Sequence, residues 1–282
     1  MPRSLFGYEV IGFLGEGAGS LIYAVSDPIS GQLYALKHVI VKEEKHVRFV
    51  DQIVNEYEVS KKVRHPRLRK AVDLKVVKTL LRKPTEAALV LEMFEGTASD
   101  AMAMGSVDAC ADIMRQTCEG LHALNQQGYV HCDLKPNNIL VSSTGEVKII
   151  DLGQACPIGE AKKRIQGTPD FIAPEQVRCE PVSVQTDVYN LGATFYWMLT
   201  QRKMPTLFTI KKGDNSFLVA DAIPTPMEVN PAVPANFSSL IMDCCKTAIA
   251  KRPSDMGEVL RRLDIIQATT LKSNLQNVVQ QT

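Results

Sequence analysis

Along the first third of the chain, apolar and polar positions alternate in short runs broken by glycine and proline. Tyr8-Glu9-Val10-Ile11-Gly12-Phe13-Leu14, Leu21–Val25 and Leu33–Val39 have the length and β-branched content of strands, and Asp27-Pro28-Ile29-Ser30-Gly31 has the chemistry of a turn. The pattern predicts a consecutive antiparallel meander. From Phe49 to Val63 the period lengthens, placing Val50, Ile53, Val54 and Tyr57 on one face of a helix that Pro66 stops. Two more strands are predicted near Ala71–Thr79 and Glu86–Met93. Beyond Gly96 helical spacing dominates. Ser106 is an N-cap for a helix to about Gln127, closed by Gly128, and further helices are expected at Val184–Thr200, Phe237–Thr247 and Ser254–Gln267. The pattern therefore predicts an α+β chain of two lobes. Residues 1–95 form a small antiparallel sheet with one main helix, residues 96–267 form a larger, mainly helical lobe, and residues 268–282 are a polar tail or linker.

Composition narrows the function classes. The 282 residues are 45% hydrophobic and 22% charged, which suits a globular chain with its own core rather than a disordered one. A formal net charge of +1 argues against nucleic-acid binding by bulk charge. The most apolar stretch, Val188–Leu199, is shorter than the roughly 20 residues a membrane span needs, and it contains Asn190 and Gly192. Arg3 precedes an apolar run, but Glu9 interrupts it, so a first strand is expected rather than a signal peptide. The seven cysteines match no zinc-ligand spacing, and reduced thiols in the cytoplasm are expected. No nucleic-acid or membrane partner is expected within this chain.

Candidate chemistry sits in three places. Gly15-Glu16-Gly17-Ala18-Gly19-Ser20 lies between two predicted strands, where backbone N–H groups can approach phosphate oxygens because no Cβ blocks them. No Gly-Lys-Ser/Thr follows, so it is not a Walker loop, and the next element is a strand, so it is not a dinucleotide fingerprint. Lys37, in Ala35-Leu36-Lys37, can pair with nucleotide phosphates if a carboxylate holds it, and Glu56 and Glu58 on the following helix are the candidates. His131-Cys132-Asp133-Leu134-Lys135-Pro136-Asn137-Asn138-Ile139-Leu140 gathers Asp, Lys and Asn in one loop. Val147-Lys148-Ile149-Ile150-Asp151-Leu152-Gly153 ends another strand on a carboxylate. Phosphoryl transfer needs these types: a carboxylate for a hydroxyl proton, a cation for the moving charge, and oxygen donors for a hard cation.

In this order and spacing the motifs resemble those of eukaryotic-type (Hanks-type) serine/threonine protein kinases. The resemblance rests on Gly15–Ser20, Lys37, His131-Cys132-Asp133, Asp151-Leu152-Gly153 and Ala173-Pro174-Glu175, with Asp187 and Arg252 at the matching supporting positions, and it covers about residues 8–266. It implies a bilobal kinase fold and ATP- and Mg2+-dependent transfer to protein substrates. Asp133 would orient the substrate hydroxyl, Lys135 would contact the γ-phosphate, and Asn138 and Asp151 would hold Mg2+. Lys37, salt-bridged to Glu56 rather than Glu58, would hold the α- and β-phosphates beneath Gly15 and Gly17. Leu91 would be the gatekeeper, the backbones of Glu92 and Phe94 would bond the adenine, and Ile22, Ala35 and Leu140 would sandwich it. Lys135 and Gly167-Thr168-Pro169-Asp170-Phe171 resemble the serine/threonine class, with Thr168 bonding Asp133 and Lys135.

The chain departs from the family pattern at four points. Ser20 stands where the third glycine is usual, Leu152 replaces Phe, and Ser60 replaces a large apolar residue four after Glu56, which would leave the helix position marginal or dependent on a regulatory partner. Cys132 replaces the Arg that in much of the family reads a phosphate on the activation loop, and no Ser, Thr or Tyr occurs between Leu152 and Gly167. Switching by phosphorylation of that central segment is therefore not expected. Lys162-Lys163-Arg164, and Arg64, Arg67, Arg69 and Lys70, are candidate docking patches or simply solvated faces. The rival to an active kinase is a pseudokinase-like nucleotide-binding scaffold. A small-metabolite kinase is disfavoured by Ala173-Pro174-Glu175, Asp187 and Arg252.

Overall fold

The computed structural model describes residues 2–17, 19–101, 106–209 and 223–280, with side chains to residue 268. The chain forms two compact units, residues 1–95 with 150–155, and residues 96–149 with 156–282.

The first unit is a six-stranded antiparallel sheet: β1 (Ser4–Leu5), β2 (Tyr8–Gly17), β3 (Ser20–Ser26), β4 (Leu33–Ile40), β5 (Ala71–Lys78) and β6 (Pro84–Glu92), in the order β1-β2-β3-β4-β6-β5. The expected meander accounts for β2 to β4, and β6 then inserts beside β4. Alternation gives the sheet two apolar faces. Tyr23, Val25, Leu36, Ala88 and Val90 cluster on one, and Ala35, Val39, Leu89 and Leu91 on the other. Helix α1 (Val47–Lys62) covers the second face with Val50 and Ile53, spaced as the sequence pattern requires. Ile53 is fully buried, and truncating such a side chain to Ala costs about 2–5 kcal/mol.

The second unit carries short strands β7 (Thr97–Ala98), β8 (Tyr129–Val130), β9 (Ile139–Val141), β10 (Val147–Ile149) and β11 (Cys156–Pro157). Its helices are α2 (Val107–Gln126), α3 (Pro174–Val177), α4 (Val184–Thr200), α5 (Pro226–Val229), α6 (Ala235–Cys244) and α7 (Met256–Gln280). Ser106 caps α2 by accepting the N–H of Ala109 at 3.1 Å, and Gly128 beyond its end takes a φ of +81°, the left-handed conformation that glycine adopts without a Cβ penalty. Helix α4 is apolar nearly all round and is buried, as the run Val188–Leu199 requires. Among the described residues, no helix is long and apolar enough to cross a membrane.

Helix α7 departs from the expectation of a tail after Gln267, because it continues to Gln280. The segment is polar, but it contains no Gly or Pro, and Leu271, Leu275, Val278 and Val279 recur at helical spacing. Polar composition masked the period. Residues 281 and 282 of the expected tail lie outside the described residues.

Candidate functional site

In the first unit, Lys37 on β4 lies opposite Leu89 of β6, on the face that α1 covers. Its Nζ donates to Glu56 Oε2 at 2.8 Å and to Asp151 Oδ1 at 2.9 Å. Glu56 shares the buried stripe of α1 with Val50 and Ile53, whereas Glu58 is exposed, which decides between the two carboxylates. Burial opposes the Lys37 charge, but Glu56 and then Asp151 outweigh it, and the ammonium is held above its ordinary range. Burial also raises the Glu56 carboxyl, with Lys37 pulling it back.

Asp151 sits at φ 64° and ψ 72°, a left-handed conformation that costs a non-glycine residue of the order of 1–3 kcal/mol. It caps the 3-10 turn Leu152–Gln154 by accepting the N–H of Gly153. The turn is clamped from α1. Asn55 Nδ2 reaches the carbonyls of Gly153 at 3.2 Å and Ala155 at 2.8 Å, and a Cβ on Gly153 would crowd Gln52. Sequence reasoning missed Asn55. Its partners lie about a hundred positions away, so no local pattern marks it.

The glycine stretch spans the turn from β2 to β3, with Ala18 outside the described residues. A Cβ on Gly15 would meet nothing within 4 Å, so space is open there. Gly19 has φ +76°, and its Cβ would fall within 2.7 Å of the Phe49 ring, so glycine is required on both counts. Ser20, in place of the third glycine, is buried, and its Oγ has no hydrogen-bond partner. That orphaned hydroxyl stands 2.8 Å from where a Gly17 Cβ would be. An orphaned donor beside a glycine backbone, with open space at Gly15 nearby in the strand, fits a phosphate-bearing ligand.

Ala35 is fully buried, opposite Leu91, while Ile22 is half-buried and faces Lys37 across the β3–β4 ladder. Glu92 ends β6, and Phe94 lies in the coil after it. The Glu92 N–H is engaged by Lys70 O at 2.9 Å, and its carbonyl accepts Arg69 Nε at 3.2 Å. Arg69 is thus tied inward rather than part of an exposed basic patch. Ser60 is buried, and its Oγ accepts the N–H of Ala71 at 2.8 Å, so a hydrogen bond from α1 to β5 replaces the apolar packing usual at that position.

In the second unit, the loop after β8 holds Asp133, Lys135 and Asn138. Thr168 Oγ1 donates to Asp133 Oδ1 at 2.8 Å and accepts from Lys135 Nζ at 3.0 Å, and Lys135 Nζ is 3.4 Å from Asp133 Oδ2. Asn138 Nδ2 donates to the Asp133 carbonyl at 2.8 Å, which leaves its amide oxygen as an acceptor. Leu140 is half-buried on β9, paired with Lys148 and Ala98. Asp187 braces the loop from below. Its carboxylate accepts the N–H of His131 at 2.9 Å, of Cys132 at 3.0 Å and of Asn125 Nδ2 at 3.0 Å. Gln176, which the sequence reading also missed, donates to the Cys132 carbonyl at 2.7 Å and to the Gln166 carbonyl at 3.2 Å.

Over residues 8–263 the sequence matches the family described as the protein kinase domain. This chain belongs to that family. The chain is 26% identical, over 89% of its length, to serine/threonine-protein kinase PknD of Chlamydia pneumoniae. It is 33% identical over 70% of its length to myosin light chain kinase 3 of Danio rerio, and 30% identical over 68% to the smooth-muscle myosin light chain kinase of Gallus gallus. It spans 30%, 28% and 10% of the lengths of those relatives, respectively.

The raised Glu56 carboxyl makes a testable pH dependence. As pH falls through that raised value, Glu56 is neutralised and Lys37 loses its closest partner. ATP affinity is expected to weaken on acidification at a pH above the ordinary glutamate range, and Glu56→Gln should lack this limb. The stability effect has the opposite sign. A carboxyl raised by folding is favoured in the native state below its unfolded value, and that contribution is lost as pH rises through the folded one. Nucleotide titrations across pH on both proteins measure the first effect.

Proposed function

We propose that this kinase domain transfers the γ-phosphate of ATP to serine or threonine hydroxyls of protein substrates. The observation that carries the reading is the hydrogen-bonded set Asp133–Thr168–Lys135, a carboxylate and a cation held on one hydroxyl. Asp133 orients the substrate hydroxyl and takes its proton as the oxygen bonds to the γ-phosphorus and ADP departs. Lys135 offsets charge on the transferring phosphoryl oxygens. Lys37, fixed by Glu56, holds the α- and β-phosphates, and Gly15, Gly17 and the free hydroxyl of Ser20 line their approach. Asp151 and Asn138 offer the oxygen donors that a hard dication takes, and Mg2+ held there supplies neutralisation of phosphate charge. Ile22, Ala35 and Leu140 are assigned to the adenine faces and Leu91 to the gatekeeper position. The backbones of Glu92 and Phe94 are assigned to the base edge.

Labelled γ-phosphate transfer from ATP with Mg2+ to a generic protein substrate tests this. Phosphoserine and phosphothreonine are expected in the hydrolysate. Phosphotyrosine alone would overturn the class, and ATP binding without transfer would favour the nucleotide-binding scaffold.

We further infer that phosphorylation of the central activation segment does not switch the domain. Cys132, where a phosphate-reading Arg is usual, is buried with Val130, Cys156 and Val182, and the segment from Leu152 to Gly167 offers no acceptor. Intact-mass and phosphosite mapping of active protein should find that segment unmodified. A phosphate on Thr168 that activity requires would refute the inference. The seven free thiols support a reducing, cytoplasmic setting.

A further inference from the structure

Strands β8 and β11 pair so that Cys156 lies opposite Val130, two residues before Cys132. The two sulfur atoms stand 3.6 Å apart, and both residues are about 2% exposed. Cys132 immediately precedes Asp133, at a left-handed φ of 65°, with its N–H on Asp187 and its carbonyl on Gln176. Lys162, paired with Glu160 at 2.9 Å, stands beside Cys156. A small cavity lined by Cys132, Lys162, Gln176 and Cys179 opens beside Cys132.

The environment separates the two thiols. Cys156 is lowered by the hydrogen bond from Cys132 and by the Lys162 charge, against burial. Cys132 is raised by that same hydrogen bond, by burial and by Asp187. A thiol made easier to ionise, 3.6 Å from a second thiol that can resolve its oxidised form, is the arrangement a reactive dithiol needs.

We propose that Cys132 and Cys156 form a redox-reactive dithiol, which hydroperoxides oxidise to a disulfide that reversibly suppresses phosphoryl transfer. Cys156 attacks the terminal peroxide oxygen, breaking the O–O bond to give a sulfenic acid and an alcohol, or water from hydrogen peroxide. The Cys132 sulfur then attacks the sulfenic sulfur and expels water, so the two thiols lose two electrons and two protons in all. Closure brings the sulfurs from 3.6 Å to about 2.0 Å. Drawing the Cys132 sulfur inward pulls on a backbone held by Asp187 and Gln176, and the strain falls on the peptide it shares with Asp133. A displacement of about 1 Å at a reacting group is enough to cost ~100-fold.

The suppression rests on transfer through Asp133, whereas bond formation does not, so the two are read separately. The whole chain is treated with stoichiometric hydrogen peroxide, alkylated, and mapped by mass spectrometry, and transfer is measured before and after dithiothreitol. A Cys132–Cys156 linked peptide is expected, with transfer lowered at least tenfold and restored by reductant. Cys179→Ser should respond as the parent does, while Cys156→Ser and Cys156→Ala should keep their activity under peroxide. Both thiols remaining alkylatable, a linkage through Cys179 instead, equal inactivation of the Cys156 variants, or a disulfide that leaves transfer unchanged would each overturn the proposal. A reduced protein that transfers nothing overturns the kinase reading instead, and the peptide map still decides the bond.

Discussion

Asp133→Asn is expected to lower kcat by about 10²–10⁴-fold while changing the KM for ATP by less than about threefold. Asn has nearly the shape of Asp, and its amide oxygen can still accept the Thr168 hydroxyl that stands 2.8 Å from Oδ1. The loop also keeps its other ties, because Asn138 bonds the Asp133 carbonyl and the Asp133 N–H goes to His131 Nδ1 at 3.2 Å. What disappears is the anionic acceptor for the substrate proton. The groups assigned to the ATP phosphates, Lys37 and Glu56, are untouched, so the loss falls on turnover rather than nucleotide affinity. Steady-state kinetics with circular dichroism on both proteins decide it. A variant that keeps more than about a tenth of parental kcat, with unchanged fold, removes Asp133 from the role assigned to it.

Arg252→Met is expected to have the largest effect on stability, a loss of about 3–5 kcal/mol. Arg252 is fully buried and spends all five of its N–H donors. Two go to the Glu175 carboxylate at 2.8 and 2.9 Å, and one each to the carbonyls of Gln185, Lys246 and Thr247. Its guanidinium also lies 4.9 Å over the Tyr189 ring. Removing it strands a buried carboxylate, with Thr186 Oγ1 as the remaining donor shown, and three carbonyls besides. The melting temperature should fall by about 10 °C for a unit of this size. Neutralising the stranded charge as well, in Arg252→Met with Glu175→Met, should recover part of the loss, because burying a matched pair costs more than burying apolar groups of similar volume. A single variant within about 1 kcal/mol of the parent in urea titration would mean that this pair does not secure the second unit.

Local signals in the sequence were reliable where the physics is local. The alternation of β2, β3 and β4, the 3.6-residue stripe of α1, the Ser106 cap and the glycine at 128 are each decided within a few residues of chain, and each element stands where its pattern puts it. Helix α7 shows the limit of that reading, since polar composition concealed a period that its spacing carried. The motif residues were legible too, because Asp133, Lys135 and Asn138 occupy one loop.

The chain by itself determined which groups are available: a carboxylate, a cation and an amide in one loop, a strand lysine, a glycine turn, and an activation segment without a hydroxyl acceptor. Only the tertiary structure decided how they are held. It buried Glu56 against Lys37, as the family resemblance implied, while leaving Glu58 exposed, and it set Asn55 on the Asp151 turn and Gln176 on the Cys132 carbonyl. It also brought Cys156 within 3.6 Å of Cys132. These partners are separated by tens of residues or more, and a hydrogen bond or thiol contact depends on a few tenths of an ångström that sequence periodicity does not encode.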